Sequence, residues 1–101
     1  MEKKLHEFGH WKFNYSSREL YQEEQLIKLT TTESQLLKMF CESPEKVLIR
    51  DQALKQIWGD DYNLHGRSLN VYISRLRGYF KEDKSIDILN VHGVGYRLII
   101  K

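Results

Sequence analysis

The sequence predicts an α+β fold in which a strand-rich beginning, three central helices and a terminal β-hairpin follow one another. Three observations predict it. Apolar residues alternate with period two up to Thr30, recur at helical spacing from there to Phe80, and alternate again from Ile86. Thr30 with Glu33 three residues later marks the first changeover as a capping box. A turn holding two glycines, His92-Gly93-Val94-Gly95, divides the last β-rich stretch.

Residues 5–30 carry the first layer. Trp11-Lys12-Phe13-Asn14-Tyr15 and Ile27-Lys28-Leu29 alternate, with turns expected at Ser16-Ser17 and Gln22-Glu23-Glu24, so three or four short antiparallel strands account for the segment. Such a meander is marginal alone and needs a helical layer to pack on. Residues 31–82 supply it. The first helix shows an apolar stripe of Leu36, Leu37, Phe40 and Cys41 and ends at Ser43-Pro44. The second runs from Arg50 to Trp58, with Ala53, Leu54, Ile57 and Trp58 on one side and Gly59 as its stop. A polar loop from Asp60 to Gly66 leads into the third helix, expected from Arg67 to Lys81. Residues 86–101 form the hairpin, Ile86–Val91 against Tyr96–Ile100.

The 101 residues suffice for one domain and one modest core. A single cysteine excludes an internal disulfide framework and suits a reducing, cytoplasmic setting. No apolar run is long enough to span a membrane, and no signal-peptide core stands at the N-terminus. The net charge of +2 announces nothing by itself, but its distribution does. Residues 1–49 sum to −1 and residues 50–101 to +3, with five basic and two acidic residues between Arg67 and Lys84. A local basic surface on a neutral protein suits a binding face.

The third helix refines this. At 100° per residue, Leu69, Ile73, Leu76 and Phe80 fall within about 60° of one another as a core stripe. Arg67, Val71, Ser74, Arg75 and Gly78 lie opposite, and Tyr72 and Arg77 flank the stripe. No acidic residue occurs between Arg67 and Lys81, whereas a solvated helix face ordinarily mixes signs to gain i,i+4 pairs. A slim basic face suits a DNA major groove: arginine forks to guanine, Val71 touches a thymine methyl, and Tyr72 and Arg77 reach phosphates on either wall. In the hairpin, Asn90 or His92 enters a minor groove while Tyr96 or Arg97 holds the backbone. A basic helix followed by a glycine-containing hairpin has the order of a helix-turn-helix with a β-wing.

The runs LTTTESQLLKMF, IRDQALKQIWG, RSLNVYISRLRGYF and ILNVHGVGYRLII resemble the winged-helix DNA-binding domain of OmpR/PhoB-type response regulators, across residues 5–101. The resemblance implies a four-stranded N-terminal sheet, three helices and a hairpin wing. By position it implies base contacts from Val71, Ser74 and Arg75, and backbone contacts from Trp58, Arg67, Tyr72, Arg77 and Tyr96. Asn90 and His92 take the minor-groove wing positions. Asp60, Asp61, Tyr62, Asn63, Leu64 and His65 match a loop that contacts RNA polymerase in family members. It further implies a receiver domain elsewhere in the regulator, and a monomer that pairs head to tail on direct DNA repeats. Because the first strand follows Met1 almost at once, the expectation is an effector half without its receiver.

Four positions depart from the family pattern. His92 replaces arginine, which implies weaker or pH-sensitive wing affinity. Asn70 replaces an aspartate, Ser74 a basic residue, and Ile49 the Ser or Thr that would cap the second helix, a loss of about 1 kcal/mol.

Catalysis has no sequence support. The four histidines are dispersed, and His6 and His10, read as one strand, would stand about 13 Å apart, too far for one metal. Cys41 reads as packing, Asp60-Asp61 as a solvated loop, and no phosphate-binding glycine loop occurs, so no cofactor or metal is expected. Two other readings stay open: a protein-binding winged helix, and the DNA-binding module of a membrane-anchored regulator.

Overall fold

A computed structural model of the chain describes residues 5–101, except for the side chain of Tyr62. Four antiparallel strands open it, β1 (Leu5–Phe8), β2 (Trp11–Asn14), β3 (Glu19–Gln22) and β4 (Gln25–Lys28), adjacent in chain order. The register aligns His6, Phe13, Leu20 and Ile27 across the sheet, and these residues face inward with Phe8 and Trp11. Glu7, Lys12, Tyr21 and Leu26 form the neighbouring outer row. His10 lies in the β1–β2 turn beside Gly9, not in a strand, so the predicted spacing of His6 and His10 along one strand does not arise.

The inner face meets the end of the third helix. Phe80 makes T-shaped contacts with Trp11 and Phe8, with ring centroids 5.2 and 5.8 Å away. The indole N–H of buried Trp11 donates to Asp83 Oδ2 at 2.8 Å, while Asp83 Oδ1 accepts from Ser85 Oγ at 2.6 Å and Ser85 N at 2.9 Å. The Ser85 hydroxyl holds the Asp83 carboxyl below its ordinary value, aided by the Ser85 and Trp11 N–H groups and against the effect of burial.

Helix α1 (Thr31–Glu42) starts with the predicted capping box: Glu33 N donates to Thr30 Oγ1 at 3.1 Å, and Thr30 N to Glu33 Oε1 at 2.8 Å. The same buried carboxylate accepts the Tyr79 hydroxyl on Oε2 at 2.7 Å, so the cap also ties α1 to the third helix. Burial and the Glu33 carboxylate push the Tyr79 phenol up to about 12. After Ser43 comes an element the alternation did not announce, strand β5 (Val47–Ile49). Helix α2 (Arg50–Trp58) follows, with no side-chain cap at Ile49, as the sequence implied, and Gly59 ends it at φ +61.

Gly59–Leu64 form 3-10 turns kinked at Asp61 where a polar loop was expected, packed on α2 and on α3 (Gly66–Tyr79). Strands β6 (Ile86–Val91) and β7 (Gly95–Ile100) make the predicted hairpin, but β5 pairs with β7 to complete a three-stranded sheet ordered β5-β7-β6. The core joins the inward residues of the first sheet to Leu36, Leu37 and Phe40 from α1, Ala53 and Leu54 from α2, Leu69, Ile73 and Leu76 from α3, and Leu48, Ile88 and Leu98 from the second sheet, among others.

Candidate nucleic-acid interface

Helix α3 stands with one side in the core and the other in solvent. Leu69, Ile73 and Leu76 are buried, whereas Arg67, Val71, Ser74, Arg75 and Gly78 are all exposed. Val71 is 51% exposed, an apolar side chain on a face that covers nothing within the protein. Tyr72 and Arg77 are half-buried at the margins of the face.

The first turns of α3 are braced by stacked rings. His65, the residue before the helix, lies parallel to the Trp58 indole at 5.2 Å and 8°, and Tyr72 leans on the same indole at 6.3 Å. The Arg75 guanidinium sits 5.3 Å from the Tyr72 ring centroid, a cation–π contact that restricts it without neutralising it. Trp58, Tyr72 and Arg75, singled out separately in the sequence, are thus brought into one cluster.

The hairpin tip lies open. Val94 N donates to Val91 O at 3.0 Å, with Gly93 at φ +77 as a type II turn requires of its third residue. His92 is exposed beside it, and Asn90 Oδ1 accepts from the Arg77 guanidinium at 3.0 Å. Arg77 Nε donates to Ile88 O at 2.9 Å, so this side chain is turned towards the wing. Tyr96, for which a backbone contact was expected, lies behind the tip. It is buried, and its hydroxyl donates to Asn70 Oδ1 at 2.8 Å.

Sequence reasoning missed the residue that joins these parts. The Arg50 guanidinium donates to Asn70 Oδ1 at 3.0 Å, Gly66 O at 3.2 Å and Tyr96 Oη at 3.3 Å, while its backbone N–H donates to Val94 O at 2.9 Å. An arginine opening a helix carries no local sign of partners that lie 16, 20 and 46 positions away. Asn70, which stands where the family pattern has an aspartate, uses its carbonyl oxygen as the shared acceptor.

The segment before α3 exposes Asp60, Asp61, Asn63 and Leu64, with His65 half-buried; the side chain of Tyr62 lies outside the described residues. Leu64 is 75% exposed, the most of any large apolar side chain described. Among the described residues, no three His, Cys, Asp or Glu side chains are placed to hold a metal ion, and no helix is long and apolar enough to cross a membrane.

Comparison with known proteins agrees with this layout. Residues 22–98 match the family described as "Transcriptional regulatory protein, C terminal". The chain is 43% identical over 98 residues to the transcriptional regulatory protein RprY of Bacteroides fragilis, covering 97% of this chain and 42% of RprY. It is 39% identical over 82 residues to the heme response regulator HssR of Staphylococcus haemolyticus, covering 80% of this chain and 37% of HssR. The chain therefore spans about two fifths of the length of these relatives. Among solved structures, the Klebsiella pneumoniae RstA DNA-binding domain in complex with the RstA box superimposes with a TM-score of 0.77 at 26% identity, covering 96% of this chain and 98% of that one. The DNA-binding domain of Escherichia coli CadC shares the fold, with a TM-score of 0.79 at 21% identity and coverage of 100% and 96%.

Proposed function

The chain belongs to the transcriptional regulatory protein C-terminal family, and from that premise we propose that it is a sequence-specific double-stranded DNA-binding module that controls transcription as the effector part of a response regulator. The carrying observation is the face of α3, where Arg67, Val71, Ser74 and Arg75 are exposed together while the opposite stripe fills the core.

In this reading α3 enters the major groove. Arg75 forks to a guanine edge, held at its angle by Tyr72, and Val71 and Ser74 read the adjoining bases. Arg67, Tyr72 and the Trp58 indole N–H contact the sugar–phosphate backbone and set the register. The tip around His92 reaches into the flanking minor groove. Arg77, Asn90 and Tyr96 face one another within the protein, which favours a supporting role over the direct contacts expected of them.

The finer partnerships follow the same reading. The exposed Asp60, Asp61, Asn63 and Leu64 offer a protein partner acidic groups around one apolar anchor, which supports contact with RNA polymerase. Pairing head to tail on direct repeats, a receiver domain in the full-length regulator and action in the cytoplasm complete the proposal, with residues 1–101 working as one domain.

Fluorescence anisotropy of a labelled duplex, titrated at several salt concentrations, tests it. The log of the association constant should fall linearly with the log of salt, because each neutralised phosphate releases counterions. Binding independent of salt would move this face to protein recognition.

A further inference from the structure

Tyr96 is enclosed by residues of α2, α3 and the wing. Its hydroxyl lies between Arg50 and Asn70, and the Arg77 guanidinium sits 5.9 Å from its ring centroid. Arg77 then continues to Ile88 O and Asn90 on β6, while Arg50 continues to Gly66 O at the start of α3. The two arginines therefore bind α3 near both its ends to the two strands of the wing. The Arg50 backbone N–H bond to Val94 O fastens the tip turn to the same point.

The fit around Arg50 is close. A Cβ built on Gly66 would stand 2.7 Å from an Arg50 guanidinium nitrogen, so a side chain there would have to displace the guanidinium from its present place. Arg50 and Arg77 are half-buried, and two nitrogens of each guanidinium donate to protein acceptors.

We propose that this Arg50–Asn70–Tyr96–Arg77 clamp holds the wing at a fixed attitude to α3, so that major-groove and minor-groove contacts form as one event. Arg50 and Arg77 are positioning residues in this scheme, and their charges serve internal acceptors, not phosphates. The scheme rests on the DNA-binding reading given above for its consequence, but the clamp itself is a property of the free protein.

Two substitutions test it, Arg50→Lys, which keeps the charge but not the forked geometry, and Tyr96→Phe, which removes only the hydroxyl. The first readout is amide hydrogen exchange in the free protein. Both variants should exchange faster than the parent at Gly93–Gly95 and at Gly66–Asn70 together, with the first-sheet amides unchanged. Unchanged protection at the tip in both would overturn the clamp, whether or not the chain binds DNA.

The second readout is affinity for a selected duplex. Each variant should bind about three- to tenfold more weakly, the range expected for lost hydrogen bonds, with an unaltered salt slope. In the parent, Arg75→Ala and His92→Ala should be non-additive by several fold, and in the Tyr96→Phe background they should become additive. An Arg77→Gln variant whose salt slope falls by about one would return that residue to the phosphate contacts and overturn its positioning role. A parent that binds no duplex at all would refute the DNA-binding reading and leave hydrogen exchange to decide the clamp.

Discussion

Gly95→Ala tests the second sheet at its tightest point. A Cβ built on Gly95 would lie 2.1 Å from Leu48 O and 2.8 Å from Arg50 N, both backbone atoms that no rotamer change can move aside. Ordinary contact begins at 3.4 Å, so β5 would have to retreat by about 1.3 Å. Gly95 pairs with Ile49 on one side and Val91 on the other, and the retreat breaks the neighbouring Arg50 N to Val94 O bond. Overpacking of this kind costs about 1–3 kcal/mol, and a lost backbone hydrogen bond adds about 1 kcal/mol. The sum, about 2–4 kcal/mol, should lower the melting midpoint by about 10 °C or more in a domain of this size. Thermal and urea denaturation followed by circular dichroism would measure it. Gly93→Ala is the control, because Gly93 needs positive φ but a Cβ there meets nothing within 4 Å, so only the left-handed backbone penalty of about 1–2 kcal/mol applies. A Gly95→Ala protein within about 0.5 kcal/mol of the parent would refute the reasoning, since that is the range of an innocuous surface change.

Asp83→Ala should destabilise the protein by about 1–3 kcal/mol, because it leaves the buried Trp11 N–H without its acceptor, and it should quench or shift tryptophan fluorescence. Since Asp83 has a lowered pKa, its stabilisation is present above the ordinary carboxylate range and is lost as acid protonates it, so below about pH 4 the variant's stability should fall less steeply than the parent's. Tyr79 shows the opposite limit. Its folded pKa of about 12 exceeds the ordinary 10.0, so stability should decline as pH rises from 10 towards 12, and Tyr79→Phe should remove that decline in alkaline melts. Arg75→Ala should cost about 1–3 kcal/mol of DNA affinity and relax preference at one base position, whereas Arg67→Ala should weaken all duplexes alike and reduce the salt slope by about one. Competition binding with single-base variants separates the two, and a uniform loss from Arg75→Ala would place that residue on the backbone.

What the sequence disclosed was what depends on local periodicity. The capping box at Thr30 and Glu33, the Gly59 stop and the core stripe Leu69-Ile73-Leu76 each require only neighbours within a few turns. Strand β5 escaped because three residues are too few to show alternation, and its pairing with β7 is fixed by partners about fifty positions away. The 3-10 turns at Gly59–Leu64 escaped because their composition is that of a loop. The same division holds in the candidate site. Exposed Arg67, Val71, Ser74 and Arg75 follow from helical geometry alone, but the inward turn of Arg77 and Tyr96 and the junction at Arg50 exist only once the wing folds back on α3. A basic residue's count in the sequence does not say whether its donors remain available to a ligand.

The central claim, sequence-specific recognition of duplex DNA by the α3 face and the wing, is tested most directly by selecting bound duplexes from a random pool with the purified protein. The account predicts enrichment of a direct repeat with half-sites about one helical turn apart, and loss of that enrichment in Arg75→Ala. A pool that stays random through successive rounds would contradict it.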